Sequence, residues 1–112
     1  MHELSVVGSI IGIVAKEAEK AGAERVTEVN MEIGQLSGIE FDSLDFAFKN
    51  MAAGSVIENA SIIIDKIKGI ARCSRCGNEF LIENFIGSCN KCSANDLEII
   101  KGRELRIKSI TI

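Results

Sequence analysis

Proline, tryptophan and tyrosine are all absent from this 112-residue chain, and histidine occurs once. Aromatics make up 4% against a hydrophobic fraction of 46%, so Ile, Val and Leu must build the core. No aromatic platform for stacking on bases is evident. Runs of like charge are also missing. Sixteen acidic and 13 basic side chains give a formal charge of −3 without a basic stripe, which removes the electrostatic footprint of a nucleic-acid binder. Repeats and low-complexity tracts are lacking too. The apolar stretch over residues 4–15 has no Lys or Arg before it, and Lys16-Glu17 follows where small cleavage-site residues would be needed, so it is not an export signal. It is also too short to span a bilayer. These absences leave one compact domain, or one domain with a small metal-stabilised lobe, expected in the reducing cytoplasm with no membrane partner.

Chelating chemistry is what the chain does contain, in two separate groups. Cys73-x-x-Cys76 and Cys89-x-x-Cys92 hold its four cysteines, twelve residues apart, and the single histidine, His2, lies between Met1 and Glu3. A Cys-x-x-Cys turn folds back so that two sulfurs reach one ion, with backbone amides directed at the thiolates. Gly77 supplies the positive φ such a turn uses. Two knuckles complete a tetrahedral shell with Zn–S bonds of about 2.3 Å. In a reducing compartment this spacing reads as zinc rather than as a redox dithiol pair. Cysteine at all four positions leaves no open coordination site, so the zinc is structural. Its thiolates would add a further charge of about −2. Between the knuckles, Phe80, Leu81, Ile82, Phe85 and Ile86 are expected to form a miniature core too small to stand without the metal. Arg72, Arg75 and Lys91 flank the cysteines, and Glu79, Glu83, Asp96 and Glu98 offset them as ordinary solvated charge.

The terminal group suits a different ion. The free amine of Met1, the His2 amide nitrogen and imidazole Nδ1 can close two fused chelate rings. Losing the amide proton requires a metal that rewards planar nitrogen donors, which points to Ni(II) or Cu(II) and away from Zn or Mg. Glu3 offers its amide nitrogen or its carboxylate as the fourth donor. Met1 is expected to be retained, because the bulky second residue hinders removal of the initiator.

Periodicity predicts an α+β fold: a small mixed or antiparallel sheet of about three strands packed by two helices, with an inserted zinc-ribbon-like lobe. Leu4, Val7, Ile11, Val14 and Ala18 recur as one helix face, and Gly22 is its stop. Gly8 and Gly12 are read as letting that helix sit close on the sheet. Arg25 to Ile33 alternates as a strand, with Val29, Met31 and Ile33 on one face and Glu28, Asn30 and Glu32 on the other. A second helix carries Phe41, Leu44, Phe48 and Met51 inward, and the phenylalanines of 41–48 are read as core. Ser61 to Ile70 reads as one strand. Leu97 to Ile100 and Glu104 to Ile112 read as a long ribbon arm or as two short strands around Gly102, with a bulge near Ser109.

These residues together resemble a known family. Met1-His2-Glu3-Leu4-Ser5 opens a helix, and Gly34-Gln35-Leu36-Ser37-Gly38-Ile39-Glu40 precedes the second one. The paired Cys-x-x-Cys motifs are followed by Glu104-Leu105-Arg106-Ile107-Lys108-Ser109-Ile110. Over nearly the whole chain this resembles the HypA/HybF nickel-insertion proteins of NiFe-hydrogenase maturation. The resemblance implies a non-enzymatic, cytoplasmic nickel metallochaperone that transports Ni(II) and keeps a structural Zn(II). It would work with the GTPase HypB to load the hydrogenase large subunit, and in some organisms with urease accessory proteins. Nickel binding carries over to Met1, His2 and Glu3, and zinc binding to Cys73, Cys76, Cys89 and Cys92. Residues 1–70 with 99–112 become the nickel-binding domain and 71–98 the zinc-binding lobe. Some members carry histidines beside the cysteines and commonly a proline after the glutamate at 40; here there are no such histidines, and Phe41 follows Glu40. Glu40 and Asp42 are second-tier candidates beside the nickel site. A monomer or a weak, domain-swapped homodimer is expected. The rivals are a zinc-ribbon adaptor on nucleic acid, which the net charge disfavours, and a metal hydrolase using His2 and Glu3, which a frayed terminus would preorganise poorly.

Overall fold

The structure, a computed structural model, describes residues 3–83 and 87–112. The elements run α1 (Glu3–Lys20), β1 (Glu28–Gly34), α2 (Phe41–Met51), β2 (Ser61–Ile67), β3 (Ile70–Cys73), β4 (Glu79–Leu81), β5 (Leu97–Lys101) and β6 (Leu105–Thr111). Among the described residues they form two three-stranded sheets, ordered β2-β1-β6 and β4-β3-β5. No helix of the described residues is long and apolar enough to cross a membrane.

Helix α1 places Glu3 in its first turn and Lys20 in its last, each charge opposing the helix dipole. Its buried face is Val6, Val7, Ile10, Val14 and Ala18. The expected stripe is thereby corrected at two positions: Leu4 is 60% exposed and Ile11 half-buried. Apolar residues occur around much of this helix, so periodicity alone leaves its rotation open by about one position. Packing against α2 selects the face that is buried. Glycine did not bring the helix onto a sheet either. A Cβ at Gly8 would lie 3.7 Å from Met51 of α2, and one at Gly12 would meet nothing within 4 Å. The helix does stop at Gly22: its amide donates to Glu19 O at 3.0 Å and that of Ala23 to Ala18 O at 2.8 Å, satisfying the last carbonyls.

Strand β1 buries Val29, Met31 and Ile33 and leaves Glu28, Asn30 and Glu32 half-buried, the alternation read from sequence. Thr27 N donates to Thr111 O and Gly34 N to Glu104 O, both at 2.7 Å, so β6 runs antiparallel to it. Ser61 N donates to Thr27 O and Gln35 N to Ile67 O, so β2 runs parallel to β1, with α2 in the crossover. In α2, Leu44, Ala47 and Phe48 are buried, while Phe41 and Met51 are half-buried. Phe46, read as core, is 68% exposed. It lies two residues from both Leu44 and Phe48, which turns it off their face.

The run Ser61–Ile70 is two strands rather than one, and they belong to different sheets. The break is at Gly69, where a Cβ would meet Ile82 O at 2.6 Å and Leu36 Cδ1 at 2.7 Å. Residues 97–112 likewise divide at Gly102, whose own Cβ would meet Gly69 Cα at 2.7 Å. The two glycines therefore back onto each other where the chain leaves one sheet for the other. In β6, burial alternation slips at Lys108 and Ser109, both exposed between half-buried Ile107 and Ile110. Strand β3 pairs antiparallel with β4 and β5, with a register shift against β5 between Ile70 and Ala71.

Two compact units result. One comprises the residues up to Met31 with Gly38–Asp65 and Arg106–Ile112; the other comprises Glu32–Ser37 and Lys66–Leu105. The first buries the inward faces of α1 and α2 with Val29 and Met31. The second buries Ile33, Leu36, Ala71, Cys73, Cys89 and Ala94.

Candidate metal centre

Two turns of the same design carry the cysteines. In the first, Gly77 N donates to Cys73 O at 2.8 Å and Cys73 N to Asn78 O at 2.9 Å. In the second, Ser93 N donates to Cys89 O at 3.0 Å and Cys89 N to Ala94 O at 2.8 Å. Residues four and five after each leading cysteine thus close the loop with the same pair of bonds. Gly77 has φ 77°, and Ser93, the matching residue, has φ 62°. A serine in the left-handed region is uncommon and sterically costly, and the second knuckle retains it because the hydrogen bonds around it impose that shape.

The four Sγ atoms lie within 4.8 Å of one another. Cys73 and Cys92 approach to 3.5 Å, and Cys76 and Cys89 to 3.6 Å. A tetrahedral zinc with bonds of about 2.3 Å would hold its sulfurs about 3.8 Å apart, so this donor set fits that ion in both chemistry and spacing. Backbone amides prepare the sulfurs. Lys91 N and Cys92 N point at Cys89 Sγ from 3.3 and 3.4 Å, and Asn78 Nδ2 lies 3.8 Å from the same atom. The Cys92 amide is the main reason that the Cys89 thiol is pulled down to about 6, with the Lys91 amide helping against burial. Cys73 is lowered likewise, chiefly by the Cys76 amide. For Cys92 the Ala94 amide pulls downward, but the Cys73 sulfur, burial and the other thiols together push it up to about 12. Backbone amides therefore bias the leading cysteines toward the thiolate, whereas Cys92 is biased toward the thiol.

The miniature core differs from the one expected. Cys73, Cys89 and Ala94 are its buried centre, with Phe80 and Leu97 against them. Leu81 is 63% exposed, and Phe85 and Ile86 lie outside the described residues. Two of its three buried members are cysteines of the cluster, so apolar side chains alone supply little of this core. Asn78 escaped the sequence reading. Its Nδ2 also donates to Asn90 Oδ1 at 2.7 Å, bridging the two knuckles. Only its place two residues after Cys76 could have flagged it.

Of the terminal group, Met1 and His2 lie outside the described residues. Glu3 is half-buried, and its Oε2 accepts from the backbone amide of Glu40 at 3.2 Å. Glu40 caps α2: its carboxylate accepts from Asp42 N at 3.1 Å, Ser43 N at 2.8 Å and Ser43 Oγ at 2.7 Å. Its acid group is therefore held below the usual range, first by the Ser43 hydroxyl. Asp42 is exposed in the first turn. Beside Glu3 a groove of about 430 Å³ runs past Leu4, Ser43 and Phe46.

A family described as "Hydrogenase/urease nickel incorporation, metallochaperone, hypA" matches residues 1–112. Curated relatives called Hydrogenase maturation factor HypA include one from Parabacteroides distasonis, 42% identical over 112 residues, which are 100% of this chain and 97% of that protein. Another, from Rippkaea orientalis, is 43% identical over 112 residues, covering 100% of this chain and 96% of its own. Among solved structures, the Ni metallochaperone HypA from Helicobacter pylori superposes with a TM-score of 0.68 at 29% identity, covering 100% of this chain and 97% of that one. A second HypA solution structure gives 0.71 at 29% identity, covering 100% and 96%.

Proposed function

This chain belongs to the HypA family of hydrogenase and urease nickel-incorporation metallochaperones, and on that premise we propose that it carries Ni(II) on Met1, His2 and Glu3 while keeping Zn(II) on Cys73, Cys76, Cys89 and Cys92. The family's members are metallochaperones, not enzymes. The observation that carries the reading is the gathering of all four cysteines into one cluster. A shell closed by four thiolates neither admits a substrate nor hands its ion on easily. Cargo must then be gripped elsewhere, and His2 is the only imidazole in the sequence. A nitrogen-rich grip favours Ni(II) and allows exchange to a tighter acceptor. Glu3 contributes its backbone nitrogen, because its carboxylate is already engaged by the Glu40 amide. When bound, zinc supplies the cross-tie that the small apolar content of residues 71–98 cannot.

In this reading the nickel domain comprises 1–70 with 99–112. The acceptor is the NiFe-hydrogenase large subunit, the GTPase HypB is the working partner, and urease accessory proteins are further recipients. Exchange takes place in the cytoplasm, from a monomer or a weak, domain-swapped homodimer. The test is calorimetric titration of Ni(II) into zinc-loaded protein, alone and with HypB. His2→Ala should abolish tight nickel uptake with zinc content and fold unchanged, and one residue added before Met1 should do the same by removing the amine. Nickel affinity unaltered in both variants would refute terminal ligation.

A further inference from the structure

We infer that the cysteine cluster is also a peroxide-sensitive modification site, in which the exposed Cys92 and Cys76 are attacked first and are resolved by the buried Cys73 and Cys89 of the opposite knuckle. Three observations carry this. Each knuckle pairs one buried cysteine with one exposed cysteine: Cys73 and Cys89 are 0% and 2% exposed, whereas Cys76 and Cys92 are exposed residues. The close sulfur pairs run between knuckles, Cys73 with Cys92 at 3.5 Å and Cys76 with Cys89 at 3.6 Å. Each of these pairs joins an exposed cysteine to a buried one. An oxidant arriving from water therefore reaches first the more exposed cysteine of each pair, whose nearest resolving partner is the buried one.

The oxidant is a hydroperoxide. The Cys92 thiolate attacks one peroxide oxygen; the S–O bond forms, the O–O bond breaks, and the departing hydroxide takes a proton to become water. Sulfur has given up two electrons and the peroxide has accepted them. The Cys73 thiolate then attacks the Cys92 sulfur, the S–S bond forms, the S–O bond breaks, and the second oxygen leaves as water after protonation. A second peroxide equivalent does the same at Cys76 and Cys89. Oxidation of the first pair would take away two of the four thiolates that would hold zinc, and oxidation of the second pair the other two, so a bound ion would be released. The direction of pairing decides whether the lobe survives that loss. A Cys73–Cys92 bond spans the two knuckles as the metal did, so the lobe stays tied and can be reloaded after reduction. Bonds inside each Cys-x-x-Cys would leave the knuckles unconnected.

The inference rests on the reading of this cluster as a zinc site, and metal content measured before any oxidant is added tests that reading separately. The experiment treats the full zinc-loaded chain with hydrogen peroxide, follows zinc release with a chromophoric chelator, and maps disulfides by tryptic digestion without reduction. Cleavage after Arg72, Arg75, Lys91 and Lys101 places Cys73 and Cys92 on different peptides and leaves Cys76 and Cys89 on one. The expected products are a 73–75 peptide joined to 92–101, and a 76–91 peptide closed on itself. A sulfenic-acid trap should label Cys92 or Cys76, and a dithiol reductant with added zinc should restore the original metal content. Joining of 73–75 or 92–101 to 76–91, label on Cys73 or Cys89, or zinc retained through excess peroxide would each overturn the proposal. If the chain carries no zinc at the outset, the reading of the cluster fails and the proposal falls with it, whereas a zinc-loaded chain with the wrong disulfide map overturns the proposal alone.

Discussion

Glu3 Oε2 accepts a hydrogen bond from the backbone amide of Glu40 at 3.2 Å, so the first described side chain of α1 is tied to the residue that caps α2. Glu40 in turn spends its own carboxylate on Asp42 and Ser43. Two acids that the sequence offers as possible nickel donors are thus occupied in holding two helix starts together. In the proposed reading, backbone nitrogen and imidazole then serve as the donors for a cargo ion.

Glu3→Gln should accordingly weaken nickel binding by no more than about tenfold, the worth of one hydrogen bond, because the amide oxygen can still accept from Glu40. Calorimetry on the zinc-loaded variant measures this directly. A loss of several hundredfold would make the carboxylate a ligand and reverse the assignment.

Acid should loosen the same corner. The Glu40 carboxyl is held below its ordinary value of 4.5 by the Ser43 hydroxyl first, then by the Ser43 and Asp42 amides. A depressed carboxyl stabilises the fold above its unfolded pKa and loses that contribution as pH falls through the lowered folded value. The start of α2 should therefore hold at neutral pH and fray only below pH 4.5. Carbon-detected NMR of Glu40 and the Ser43 amide shift would track it, and Glu40→Gln should flatten the dependence. A Glu40 carboxyl titrating at or above its ordinary value would contradict the cap.

Stripping zinc should unfold the cysteine lobe and spare the helices. Apart from ligands, the buried centre around the cysteines is Ala94, with Phe80 and Leu97 only partly covered. Hydrogen exchange after chelation should show loss of protection across β3, β4 and β5, with α1, α2 and β1 still protected. Uniform melting of the whole chain would show that the metal supports more than this lobe.

Asn78→Ala should lower zinc affinity by roughly tenfold, the usual cost of removing a group that orients a ligand. Its amide nitrogen reaches both Cys89 Sγ, at 3.8 Å, and Asn90 Oδ1, at 2.7 Å. Chelator competition reads the affinity. Replacing zinc by cobalt should also shift the sulfur-to-metal charge-transfer band, because Cys89 loses a donor; an unmoved band would reduce Asn78 to a structural neighbour.

The range of each interaction decides how much of it the linear chain reveals. The alternation of β1, the stop at Gly22 and the two knuckles depend on residues within five positions of one another, and the structure keeps all of them. The rotation of α1, the exposure of Phe46 and the division of 61–73 into two strands depend on surfaces distant in sequence. Leu4 and Ile10 are equally good helix residues, and only tertiary packing makes one of them interior. Gly69 and Gly102 look like ordinary breaks, 33 positions apart in the sequence. Their meaning appears when a Cβ on Gly102 would lie 2.7 Å from Gly69 Cα.

The amino-acid order alone determined the chemistry: four sulfurs in two short turns, one imidazole at the start, and the family to which that combination belongs. Ligand type and close spacing are covalent properties, and no folding can change them. Tertiary structure decided which sulfur meets which across the knuckles and which of the cysteines are buried. It also decided that Ser93 must take a left-handed turn, that Asn78 bridges the loops, and that the Glu3 carboxylate is spoken for. Those depend on segments brought together only when apolar surface is buried and backbone polar groups must find partners, which local sequence cannot encode by itself.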